Sequence, residues 1–212
     1  DGGVAISITD NVAVSAAVLE TLTFCATNVA ITASCANAGG ANVPTLALGE
    51  EVGSVKALQA GIVSTGKIYT QLSSNASNGV IVRIKSGNTC GGLMRVGASG
   101  CDIAPATTAG ISQDQPKFGV KVAANSSQDS SLAASGDTLT ADSSYGTDYF
   151  MNWVSGNATG VSSTYGDPLY HTTGNSALNN RNMDLTFAAA MSNTTPAGMY
   201  STNLSLIATG KF

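Results

Sequence analysis

The sequence predicts an all-β fold, an antiparallel β-sandwich of the jelly-roll or immunoglobulin-like kind, on three observations. Apolar residues recur at every second position in run after run, the spacing that lines one face of a strand. Clusters of Gly, Asn, Ser and Pro interrupt these runs at short intervals, while helical periodicity is nearly absent, the pattern of many short strands rather than of alternating strands and helices. Charged residues make up only 10% of the 212 residues, against a usual quarter or so. The surface of such a domain is therefore covered by Ser, Thr, Asn, Gly and Ala.

The first run is the N-terminal ribbon DGGVAISITDNVAVSAA. Val4, Ile6 and Ile8 fall on one face, and Val12 and Val14 continue the pattern past Asp10-Asn11. A strand with one apolar face and two unpaired backbone edges must dock on a sheet. Residues 1–17 are read as a donor strand set apart from a single sandwich domain over 18–212.

Within that domain, Leu22 and Phe24 lead into Cys25 as a strand, and VPTLALGE alternates through Leu46 and Leu48. EEVGSVKALQAGI suits a short helix or a loop. KIYTQLSS places Ile68, Thr70 and Leu72 on one face, and VIVRIKS turns Val80, Val82 and Ile84 inward with Arg83 and Lys85 outward. The Asn78-Gly79 pair between these two runs is a hairpin signal. KFGVKVAA repeats the alternation through Phe118, Val120 and Val122. Residues 125–181, rich in Ser, Gly, Asn and Asp, break the rhythm and are read as an irregular elaboration at one end. The closing residues alternate again, Met183, Leu185, Phe187 and Ala189 before the turn NTTPAG, then Tyr200, Thr202, Leu204, Leu206 and Ala208.

The cysteines are Cys25, Cys35, Cys90 and Cys101. Their number and the absence of C-x2-4-C spacing favour disulfides over a zinc site. Each sequential pair brackets a short loop, so Cys25–Cys35 and Cys90–Cys101 are the expected bridges.

The inventory for catalysis is thin, and no enzymatic activity is expected. His171 is the only histidine, which removes any two-histidine metal motif and leaves a single base for a nucleophilic triad. Glu50 and Glu51 are adjacent and would point to opposite faces of a strand. Asp137, Asp142, Asp148 and Asp167 share the 125–181 stretch with Tyr149, Trp153, Tyr165 and Tyr170, aromatic residues of the kind that stack on sugars. The same Asp- and Asn-rich loops are a weak candidate for calcium, and no other cofactor or metal is expected. Sequons stand at Asn75, Asn125, Asn157, Asn193 and Asn203; Asn75, Asn125 and Asn157 are the expected glycan acceptors because they are read as loop residues.

A formal net charge of −4 and a pI near 4.7 give no basic stripe, so nucleic acid is excluded as a partner. No apolar run reaches the 18–20 or so residues of a membrane helix. With no initial Met, a signal peptide removed ahead of Asp1 is expected, and with it an extracellular or cell-surface location.

STGKIYTQLSSNASNGVIVRIKS and TTPAGMYSTNLSLIATGKF resemble segments of secreted prokaryotic surface β-sandwiches. The second is similar to the final hairpin of spore-coat-U-like, WxL-type and fimbrial domains. The ribbon ahead of the sandwich resembles TasA/camelysin-type biofilm fibre proteins and archaeal bundling pilins. That resemblance implies a homopolymer built by donating residues 1–17, with Val4, Ile6, Ile8, Val12 and Val14 as plugs. Two other readings stand beside the filament. One is an adhesin or carbohydrate-binding module that meets surface glycans through the aromatics named above; the other is an S-layer or matrix protein.

Overall fold

The computed structural model describes residues 15–32, 34–35, 44–108, 110–124, 133–152 and 165–212. It is all β apart from one helical turn. The strands run in order β1 (Leu22–Thr27), β2 (Glu50–Val52), β3 (Val55–Ala57), β4 (Val63–Ser74), β5 (Val80–Ser86), β6 (Met94–Arg95), β7 (Ala104–Pro105), β8 (Lys117–Ala124), β9 (Ser135–Gly136) and β10 (Leu139–Ala141). After α1 (Ser143–Thr147) come β11 (Asp167–Thr172), β12 (Leu178–Ala190), β13 (Tyr200–Ser201) and β14 (Leu204–Gly210).

Two sheets face each other. One has the order β1-β4-β12-β8-β7, with β9 also paired to β12; the other has the order β10-β11-β5-β14. All pairings in them are antiparallel except β7 with β8. Alternation decides which side chains enter the core. Ile68 and Leu72 of β4, Phe118, Val120 and Val122 of β8, and Met183, Leu185 and Phe187 of β12 are buried from one sheet. Val80, Val82 and Ile84 of β5 meet them from the other. Tyr170 reaches across, its hydroxyl 2.8 Å from Thr70 Oγ1, and Thr70 in turn donates to the Met183 carbonyl at 3.0 Å.

Four expectations change. The Asn78-Gly79 turn does not make a hairpin, because β4 and β5 lie in opposite sheets. Ala76, fully buried, roots the connection in the core, and Gly79 at φ 83° lets it arch from one sheet to the other. The closing segment likewise crosses between sheets, since β12 and β14 belong to different ones and β13 pairs with β6. EEVGSVK forms the β2–β3 hairpin, with Gly53 at φ 67° in its turn. Residues 44–48 are not a strand; their Leu46 and Leu48 instead fill the space over Gly66 of β4.

Residues 125–181 also supply more regular structure than their composition suggests. β11 is an interior strand of the second sheet, between β10 and β5. A register shift between Pro168 and Tyr170 lets the consecutive residues Leu169 and Tyr170 both be buried. That bulge hides the alternation from the sequence. Both expected disulfides are present, with Cα–Cα distances of 5.5 Å for Cys25–Cys35 and 5.8 Å for Cys90–Cys101.

Candidate functional site

The two sheets meet differently along their two flanks. On one flank the neighbouring edges are β1 and β14. Among the described residues β1 hydrogen-bonds only to β4, and β14 only to β5. Their inward side chains, Leu22, Phe24 and Ala26 on β1 and Leu204, Leu206 and Ala208 on β14, pack on the core yet are only partly buried. The facing residues one strand further in, Leu72 and Val82 among them, are fully enclosed. This flank therefore presents free backbone edges beside a strip of accessible apolar surface. An extended peptide laid along such an edge gains main-chain hydrogen bonds and a slot for every second side chain.

The chain reaches this flank through residues 15–21, which have no regular structure and are exposed throughout. Val18 is 87% and Leu19 82% exposed. The tether is Asn75. Its Nδ2 donates to the Leu19 carbonyl at 2.7 Å, and its Oδ1 accepts from the Thr21 amide at 2.7 Å. Ser74 Oγ donates to the Thr21 carbonyl at 2.9 Å. The backbone is thus held from Leu19 onward, beside the 75–79 arch.

The opposite flank is sealed. The β8 edge is covered by Phe150, whose amide and carbonyl exchange 3.0 Å bonds with Val120, and Met151 N donates to the Ala106 carbonyl at 2.8 Å. Asp142 caps α1 by accepting from Ser144 N at 3.3 Å. This directs Tyr145 into the core, where its ring meets Phe150 edge-on at 5.2 Å. The Tyr145 hydroxyl donates to Asp167 Oδ2 at 2.7 Å. Burial raises the affinity of Asp167 for its proton, with the Tyr145 bond working the other way. Burial, then the Asp167 charge, raises the Tyr145 pKa well above the ordinary phenol value.

The predicted site residues divide as follows. Val4, Ile6, Ile8, Val12 and Val14 lie outside the described residues, as do Asn125, Asn157 and Trp153. Asn75 is described, and both ends of its amide are engaged with backbone as given above. Tyr149 is partly buried and Tyr165 is 59% exposed. Tyr170 has no exposed surface; its ring spans the core, so it is removed from the candidate sugar-stacking set. His171 is exposed on β11, opposite Thr140 and Ile81.

The carboxylates of 137–167 serve the local fold. Asp137 accepts from the Thr138, Gly174 and Ser176 amides at 2.7–3.1 Å. Burial opposes its ionisation, but these amide bonds outweigh that effect and Arg181 adds to them, so its pKa falls below the usual value. Asp148 accepts from the Tyr149 amide at 2.7 Å. Among the described residues no group of three or more His, Cys, Asp or Glu is placed to hold a metal ion. The sequence reading missed Asn75 as an anchor because N-A-S reads first as a sequon. It missed Tyr145 because a lone aromatic within a five-residue helix leaves no periodic signal.

Compared with family models, curated proteins and solved structures, the chain matches none. Two disulfides are compatible with an extracellular or secreted protein. No helix among the described residues is long and apolar enough to cross a membrane.

Proposed function

We propose that this chain is a structural subunit of an extracellular filament, one that polymerises head-to-tail when residues 1–17 of one copy pair with a sheet edge of the next. The observation that carries the reading is the unsealed flank. Two sheet edges with free backbone groups border partly exposed Leu22, Phe24, Leu204 and Leu206, while the other flank is closed. Long exposed edges are a liability that soluble domains normally cover, so a covering strand is the economical explanation. The alternating Val4, Ile6, Ile8, Val12 and Val14 supply plugs at the spacing such an edge accepts. The contact joins unlike surfaces, so its repetition builds an open polymer rather than a closed dimer. Low charge and two short disulfide loops suit a durable extracellular material.

Deleting residues 1–14 tests the reading. The expected product is a folded monomer with an unchanged circular dichroism spectrum and no polymer by light scattering or electron microscopy. A shortened chain that assembles as well as the intact one would remove strand donation as the mechanism.

A further inference from the structure

We infer that successive copies also touch through the two ends of the sandwich, with Val18 and Leu19 of one copy packing on Val96 and Met199 of the next. This rests on the filament reading and adds to it a second interface made of residues outside the donated strand.

The observation is a distribution of exposure. Val18 (87%), Leu19 (82%), Met199 (79%) and Val96 (72%) are the most exposed large hydrophobic residues among those described. They lie at opposite ends of the molecule. Val18 and Leu19 stand at the end that holds the arch, where Ser74 pairs with Leu22 and Asn75 binds Leu19. Val96 and Met199 stand on the β6–β13 ribbon, reached from the far end of β5 at Ser86 and leading into Leu204, which pairs with Ser86. β4 alone, at 12 residues, spans about 40 Å at ~3.3 Å per residue. One molecule cannot bring these two pairs together, but two copies stacked in the same orientation do.

The Val96–Met199 pair is also built firmly enough to serve as a contact. Val96 N donates to the Met199 carbonyl at 2.9 Å, which sets the two residues side by side. Beneath them the ribbon is braced by the Cys90–Cys101 disulfide and by Arg95 Nε on Asp102 Oδ2 at 3.0 Å. That ion pair neutralises the nearest charges, leaving an apolar tip on a rigid base. Isolated exposed apolar residues are ordinary, whereas adjacent pairs at both poles of a domain with so little surface charge mark faces that meet.

The contact also fixes the direction of the donated strand. With Val18 and Leu19 of one copy at Met199 of the next, the residues before Ser15 are delivered where β14 begins, at Leu204. The incoming strand must then run toward the arch from its C-terminal end, antiparallel to β14.

Cross-linking tests this on the full chain. All four native cysteines are in disulfides, so Leu19→Cys and Met199→Cys introduce the only thiols. In polymer carrying both substitutions, a short bismaleimide is expected to give a ladder of covalent multimers, and neither single variant extends beyond dimers. Leu19→Asp and Met199→Asp should each raise the concentration needed for assembly by about tenfold or more, the worth of one apolar side chain removed from water. The melting temperature of the monomer should not change, since neither side chain is packed in its own domain. Polymer that carries both cysteines yet yields no ladder overturns the end contact and leaves strand donation standing. A ladder that persists after deletion of residues 1–14 does the reverse. Failure of the intact chain to polymerise at all overturns both.

Discussion

The flank closed by β8, β10 and α1 and the flank bounded by β1 and β14 are made of similar residues, yet they end differently. On the closed flank the last strand of each sheet is followed by something that covers it. Phe150 and Met151 return along β8, and Tyr145 enters from α1 with its hydroxyl satisfied by Asp167. On the other flank Leu204, Leu206 and Ala208 alternate as regularly as the buried residues of β5, but nothing described lies outside them and they stay partly exposed. Alternation thus marks which face of a strand is apolar. Whether that face is finished depends on a further segment, and here only one flank has its own.

The largest expected effect follows from that contrast. Tyr145→Ala opens a cavity in the sealed flank and should cost about 3–5 kcal/mol of stability. Leu206→Ala on the open flank should cost less than about 1.5 kcal/mol in the monomer, because that side chain already meets solvent. Urea unfolding of the two variants measures both. The order should change in assembled material, where Leu206→Ala raises the concentration threshold for polymer while monomer stability barely moves. Equal losses in the monomer would mean that the β14 edge is as finished as the β8 edge.

Much of this contrast was legible in the residues. The inward faces of β4, β5, β8, β12 and β14 follow from period-two spacing, and both disulfides follow from cysteine spacing. What the residues concealed was which strands share a sheet. KIYTQLSS and VIVRIKS, joined by a turn with Asn-Gly, look the same whether the chain folds back within one sheet or arches to the other. Burial of Ala76 decides between them, and that depends on the opposite layer. β11 escaped notice for another reason: its bulge puts Leu169 and Tyr170 both inside, so DPLYHT reads as irregular. The open flank could be suspected from the ribbon, but its location required knowing that β1 and β14 are the neighbouring edges.

The next effect concerns the polar pin of the sealed flank. Asp167 holds its proton more tightly in the folded state than in the unfolded chain, chiefly because it is buried. Its contribution to stability is therefore fully present below the ordinary carboxylate range and is lost as pH rises through the raised folded value. Asp142 reinforces that shift, and Tyr145, Asn152 and Arg83 oppose it. Asp167→Asn keeps an acceptor for the Tyr145 hydroxyl and removes the buried charge. Denaturation midpoints from about pH 4 to about pH 8 should fall with pH in the parent chain and fall less steeply in the variant. Parallel curves would mean that Asp167 carries no such linkage.

The smallest effect has the opposite sign and lies outside both flanks. Asp137 gathers the amides of Thr138, Gly174 and Ser176 at the mouth of the β11–β12 connection, while Arg181 Nε donates to its carbonyl at 2.7 Å. These contacts lower its pKa against the pull of burial. Its contribution is present above the ordinary carboxylate range and is lost as pH falls through the lowered folded value. Asp137→Asn keeps one acceptor oxygen but cannot take all the amide bonds, and the site faces solvent. A loss of about 0.5–1 kcal/mol near neutral pH is expected, shrinking as acid protonates the parent carboxylate. Assembly should be untouched, because Asp137 borders neither the β1–β14 flank nor the Val96–Met199 tip. A variant stable as the parent but unable to polymerise would place the working surface at this corner instead.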